Sequence, residues 1–293
     1  MKYPSFEPMK FSPFIPCAFL LSFSPAQAAI LSLTGTGTVV NSPTGNTSNA
    51  NVLVGDSLLF TGMGTDPITG LSYDAIVTVN GLGASTILDA APASAPIHLV
   101  GSADPDMWAD LSLDFIAAGS STTANPLGTA LAVPFLTNVT AQDIDSISGR
   151  NYSDVFGLFN PPNPVTLGAD LENGGFLNTV GQPTAGVDYA RLRDDLAGSS
   201  TDWVNEGNAN TMDPDNYATW NYNDASSSGI RFVWGVTSDG TGDQTIGGDG
   251  RGMLAFFEIP DEIPNEFPVI PEPSRAVLLA LGLFAIFSRR SRG

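Results

Sequence analysis

The chain is 293 residues long and carries 30 acidic against 11 basic residues, a formal charge of −19. Such an acid excess repels polynucleotides and anionic lipid surfaces and attracts cations, which excludes nucleic acid as a partner. A single cysteine, Cys17, and a single histidine, His98, are too few for a His/Cys zinc site.

In chain order, residues 1–28 have the form of a secretory signal peptide. Lys2 and Lys10 give a weakly basic start, residues 11–23 are apolar, and Ala26-Gln27-Ala28 is the small-residue pattern that precedes a cut after Ala28. That cut removes Cys17, so the body has no disulfide and its stability comes from core burial. Between residues 29 and 271 only Arg150, Arg191, Arg193, Arg231 and Arg251 oppose 28 carboxylates, a charge of −23 with no lysine at all. Calcium is the abundant cation such a field meets outside a cell.

The body reads as β throughout. Residues 108–115 alternate, with Leu111, Leu113 and Phe115 to one side and Asp110, Ser112 and Asp114 to the other. Period two of this kind marks a half-buried strand. Residues 72–80 repeat the pattern with Tyr73, Ala75, Val77 and Val79, and residues 230–236 with Ile230, Phe232, Trp234 and Val236. Shorter strands are predicted at 52–54, 57–61, 97–100, 130–140, 155–159 and 253–259. Gly, Asn, Asp, Pro and Ser clusters at 41–51 and 226–229 mark turns. A helix is predicted only over residues 189–196. Many short strands separated by turns predict an all-β fold for residues 29–260, an antiparallel β-sandwich of jelly-roll-like type. Residues 261–270, rich in proline and carboxylates, form an extended linker.

Three patterns in the body carry chemistry. Asp143 and Asp145 lie two apart, so an extended chain aims both carboxylates to one side, and Asp154 follows a glycine-bearing loop that brings it back. Hard oxygens converging in this way suit calcium; the alternative is that these aspartates cap turns. Asp104 and Asp106, Asp213 and Asp215, and the loop 239–249 are weaker versions of the same pattern. Trp203, Tyr217, Trp220 and Tyr222 form an aromatic cluster, in which Trp203, Trp220 and Tyr222 either stack on a sugar ring or pack the core. His98, between Ile97 and Leu99, reads as a strand residue rather than a base. Paired carboxylates able to cleave a glycosidic bond occur by accident in so acidic a chain.

The C-terminal segment, residues 271–293, has three parts. Pro271-Glu272-Pro273 is extended and unable to join a helix. Residues 276–287 are an apolar run of 12, roughly 18 Å as a helix and a short span of a ~30 Å hydrocarbon core. Arg289, Arg290 and Arg292 then hold the C-terminus in the cytoplasm. This order resembles the PEP-CTERM sorting signal of Gram-negative bacteria. The resemblance implies recognition by an inner-membrane exosortase, transient anchoring through the short transmembrane helix, and delivery to the cell surface or extracellular matrix of an exopolysaccharide-producing, biofilm-forming cell. It covers the tail alone. The body is expected to be a non-enzymatic surface or matrix protein, with a carbohydrate-binding module and a glycan-active hydrolase as the alternatives.

Overall fold

The computed structural model describes residues 29–33, 35–66, 69–84, 86–90, 97–101, 106–142, 144, 153–177, 181–193, 214–238, 251–252 and 254–259. The expected signal peptide, linker and sorting segment lie outside these residues. Sixteen strands run in chain order: β1 (Ala29–Ser32), β2 (Thr38–Asn41), β3 (Ser57–Thr65), β4 (Ser72–Leu82), β5 (Thr86–Asp89), β6 (His98–Gly101), β7 (Met107–Ala117), β8 (Val133–Gln142), β9 (Ser153–Phe159), β10 (Val165–Leu167), β11 (Leu171–Asn173), β12 (Val187–Leu192), β13 (Ala218–Ser227), β14 (Gly229–Thr237), β15 (Arg251–Gly252) and β16 (Leu254–Ile259). A single 3₁₀ turn, Pro214–Asn216, is the one helical element among the described residues.

The chain is all-β and its sheets are antiparallel. Eight strands form one sheet in the order β11-β12-β9-β14-β7-β4-β3-β2, five form a second in the order β1-β16-β8-β13-β10, and three form a small sheet, β15-β6-β5. From β7 onward the chain crosses repeatedly between the two large sheets. β7, β9, β12 and β14 belong to the eight-stranded sheet, and β8, β10, β13 and β16 to the five-stranded one.

The alternation in the sequence decides which face of each strand is dry. Tyr73, Ala75, Val77 and Val79 on β4, Leu111, Leu113 and Phe115 on β7, and Ile230, Phe232, Trp234 and Val236 on β14 are buried in one continuous core. Rings from the two sheets meet there. Phe115 on β7 packs edge-on against Phe257 on β16, with centroids 5.7 Å apart. Phe156 on β9 lies 5.4 Å from Trp220 on β13 and stacks on Phe232 of β14 at the same distance. Burying one such side chain contributes about 1.5–3 kcal/mol. Asp188 on β12 adds a polar tie between the sheets, because its Oδ2 accepts from Trp220 Nε1 at 3.1 Å and from the Val165 backbone N–H of β10 at 2.9 Å.

Two sequence expectations need correction, and several strands were not foreseen. Residues 189–196 do not form a helix over their described part. Val187–Leu192 is a strand hydrogen-bonded on both edges, to β9 and to β11. Ala190 and Leu192 face the core while Tyr189 and Arg191 face outward, a period of two that the short run of charged residues disguised. Residues 52–54 contribute only an isolated bridge, Val52 to Leu88. The short strands β1, β2, β5, β10, β11 and β15 escaped notice because none is longer than four residues, and the ten-residue β13 because its Asn, Asp and Ser content reads as turn. The turn foreseen at 226–229 separates β13 from β14, and His98 sits within β6, 7% exposed.

Truncating Trp220, which is fully buried, is expected to cost about 3–5 kcal/mol in denaturant unfolding. Asp188→Ala is expected to cost about 1–3 kcal/mol by orphaning the indole N–H, and the double variant less than the sum, since the two residues share one bond. A second expectation concerns alkali. Burial pushes the phenols of Tyr189 and Tyr222 from 10.0 up to about 12. A phenol whose folded value lies above its unfolded one favours the fold below pH 10 and loses that contribution as pH rises from 10 to 12. Stability, read by denaturant unfolding at each pH, should therefore fall across that interval. Tyr222→Phe should soften the fall.

Candidate functional site

The residues singled out in the sequence are dispersed by the fold. Trp220 is 0% exposed and Tyr222 packs against the same core, so Trp220 offers no ring face to a sugar. The reason is parity, for Ala218, Trp220 and Tyr222 occupy the inward positions of β13. Trp203 lies outside the described residues. Asp143 and Asp145 also lie outside them, whereas Asp154 is the second residue of β9, opposite Val236 and 5% exposed. Asp106 accepts from Thr237 Oγ1 at 2.9 Å. Among the described residues no group of three His, Cys, Asp or Glu side chains forms a metal cluster.

One end of the two large sheets nevertheless gathers oxygen atoms. Backbone bonds run from Asp170 N to Asp215 O and from Arg193 N to Asp170 O, and Leu192 N donates to Ser153 Oγ. These bonds bring the start of β9, the end of β12 and the turn before β13 together. Gln142 Oε1, at the end of β8, and Asn216 Oδ1, just before β13, are buried there with no hydrogen-bond partner among the described residues. Ile144 N, between them in chain order, donates to Asn216 O at 3.3 Å.

The most organised polar constellation lies elsewhere, on the outer face of the eight-stranded sheet. Ser112 on β7 stands opposite both Thr78 on β4 and Arg231 on β14. The Arg231 guanidinium forms a bidentate pair with Asp110, Nε to Oδ1 at 2.9 Å and Nη2 to Oδ2 at 2.6 Å. On its other side the guanidinium carbon lies 4.1 Å from the Phe159 ring centroid on β9. Asn80 Nδ2 donates to Asp110 Oδ1 at 3.2 Å and to Ser112 Oγ at 2.8 Å. The hydrogen bond to Asp110 raises the Arg231 pKa above its ordinary value, so the group is always charged. The Asp110 side chain is 6% exposed and that of Arg231 47%. A buried carboxylate thus holds an exposed guanidinium in a fixed plane, a geometry for which arginine's fork is suited.

A second, smaller apolar cluster borders this strip. Trp108, Val155, Phe176 and Val233 are buried on the outer face, with Phe159 and Tyr189 packed against them. Glycines make the close approach possible. Tyr189 lies over Gly157, and the Phe176 ring lies where a side chain at Gly235 would project. Phe176 and Tyr189 meet edge to face at 5.9 Å. The sequence did carry a trace of the strip, in the outward side of residues 108–115 and in one of only five body arginines placed between Ile230 and Phe232. Pairing them required the register of β4, β7, β14 and β9, which no single strand specifies.

No protein-family model matches the chain, and no curated protein is similar to it. Two of the solved structures that are distantly similar to it are from streptococci. One is the N-terminal domain of the Streptococcus gordonii adhesin Sgo0707, at 12% identity and a TM-score of 0.37, over 83% of this chain and 61% of that one. The other is the glucan binding protein C of Streptococcus mutans, at 10% identity and a TM-score of 0.35, over 79% of this chain and 74% of that one. The chain matches less than two thirds of the adhesin domain's length. At these scores the likeness carries neither fold nor function across, and both rest on the residues of this chain.

Proposed function

We propose that this is a non-enzymatic protein of the cell surface or extracellular matrix, exported from a Gram-negative cell, sorted by an exosortase through Pro271-Glu272-Pro273 and Arg289, Arg290 and Arg292, and associated with exopolysaccharide. The observation that carries this is the pairing of β1 with β16, in which Ala29 stands opposite Ile259. The first and last strands described close on each other in one sheet. Cuts after Ala28 and near Glu272 both fall outside the described strands, so processing would leave the described core intact. The repeated crossing of the chain between two facing sheets supports a jelly-roll-like sandwich for the body. Among the described residues no helix is long and apolar enough to cross a membrane, and the anchor proposed at 276–287 lies outside them. A carbohydrate-binding role is the second reading, favoured by the polar strip around Arg231.

Calcium is proposed at the end of the sheets where Asp143, Asp145 and Asp154 were singled out. The unpartnered oxygens of Gln142 and Asn216 favour it, because carbonyl and carboxylate oxygens are the ligands that calcium takes in sets of six to eight.

Intact mass of the protein recovered from the envelope or medium is expected to lack about the first 28 residues and everything beyond the neighbourhood of Glu272. Recovery of surface-exposed protein still carrying Arg292 would overturn the sorting proposal. Alanines at Pro271, Glu272 and Pro273 should strand the protein in the inner membrane. For calcium, binding to the folded state alone adds about 2.7 kcal/mol at a hundredfold excess over Kd. At ~2–4 °C per kcal/mol, millimolar calcium should raise the melting temperature by roughly 5–10 °C more than sodium at matched ionic strength. An increment that survives both Asp145→Ala and Asp154→Ala would remove calcium from this end of the fold.

A further inference from the structure

We infer that the outer-face strip formed by Asn80, Ser112 and Arg231 is a binding site for a neutral, polyhydroxylated glycan chain. The inference deepens the association with polysaccharide proposed above and rests on it. Its first support is the inventory of unused hydrogen-bonding capacity. A guanidinium has five N–H donors, and Arg231 commits one at Nε and one at Nη2 to Asp110. Nη1 and the second Nη2 hydrogen meet no acceptor among the described residues. Asn80 spends both amide hydrogens, on Asp110 Oδ1 and Ser112 Oγ, and the carboxylate acceptor fixes which end of the amide is nitrogen. Its Oδ1 is thereby left outward as an acceptor. Ser112 Oγ accepts from Asn80 and keeps its own hydrogen to donate.

An acceptor on Asn80, a hydroxyl on Ser112 and donors on Arg231 thus lie along one line across the sheet, from β4 through β7 to β14, about 10 Å at the usual inter-strand spacing of about 4.8 Å. A sugar hydroxyl is both donor and acceptor, and neighbouring hydroxyls on a glycan chain match such a line. The atoms are also held before any ligand arrives. Asp110 and the Phe159 ring clamp the guanidinium from two sides, so little side-chain freedom is lost on binding.

Charge selects the class of ligand. A body of net charge −23 repels polyanions, and Asp110 cancels the local charge of Arg231, which removes the attraction that an acidic polysaccharide would need. A cationic ligand finds no free carboxylate on the strip, because both Asp110 oxygens are already engaged and the side chain is buried. What remains is an uncharged polyol. Phe159 gives its face to Arg231, so recognition comes from hydrogen bonds along the strip rather than from stacking a sugar ring on an aromatic one.

The test is affinity electrophoresis of the purified full chain through gels containing hydroxyethyl cellulose or galactomannan, with polygalacturonate as the anionic counterpart. Retardation by at least one neutral polymer is expected, with none by polygalacturonate. Arg231→Ala should weaken the apparent affinity tenfold or more. Because that change leaves Asp110 buried without its partner, Asn80→Ala is the second variant; Asn80 is exposed, so its melting temperature should be unchanged while affinity falls several-fold. Retardation undiminished in both variants would place the glycan elsewhere and overturn this inference alone. Retardation by polygalacturonate instead of the neutral polymers would overturn the assignment of ligand class. No retardation by any polysaccharide would overturn the inference and the proposed polysaccharide association together.

Discussion

The contact between Trp220 and Phe156, continued through Phe232, is the constraint on which the rest of the molecule depends. These three rings come from β13, β9 and β14, and the first belongs to one sheet while the other two belong to the other. With no disulfide available, the two sheets are joined by buried apolar surface, and the largest side chains supply most of it. Trp220 brings a polar atom into that core, an expensive group to bury without a partner. Asp188 receives it and at the same time accepts from the backbone of β10, so one carboxylate fixes both the orientation of the indole and the approach of an edge strand.

Packing the two sheets against each other commits every other residue of β4, β7, β9 and β14 to the core and frees the alternate positions. On the outer face those positions carry Asn80, Asp110, Ser112 and Arg231, and the sheet's fixed spacing turns them into a line. The same acid-rich composition is used differently at the bulges and turns. Asp74 accepts backbone N–H groups from Gly62 and Gly119 at 2.8 and 2.7 Å. Burial pushes the Asp56 carboxyl up, but hydrogen bonds from Ser42, Asn46 and Leu53 outweigh it and hold the group below its ordinary range. These aspartates organise turns, whereas Asp110 is paired with an exposed cation.

Much of the fold was legible because it is written in period two. The three long alternating runs became β4, β7 and β14, and the residues assigned to their inner faces are the ones buried. The failures have separate causes. β12 was mistaken for a helix because Tyr189, Arg191 and Arg193 mask the inward Ala190 and Leu192. β1, β2, β10 and β11 are too short to show a period, and they exist because a neighbour supplies their hydrogen bonds. The site was less legible than the fold. Trp220 drew notice as an aromatic beside asparagines, yet its parity on β13 sends it inward. Arg231 drew none, because its significance depends on Asp110, more than a hundred residues earlier, and only the register of β7 against β14 brings them together.

The central claim is that a guanidinium held flat by Asp110 and Phe159 is the point at which this protein meets its glycan. Few arginines in the body make their Nε–Hε resonances separable in a nitrogen–proton NMR spectrum. Titration of the protein with the neutral polysaccharide that retards it should shift the Arg231 Nε–Hε resonance progressively and saturably, while that of Arg191, paired with Glu172 at 2.7 Å, stays in place. Saturable binding with the Arg231 resonance unmoved would contradict the account.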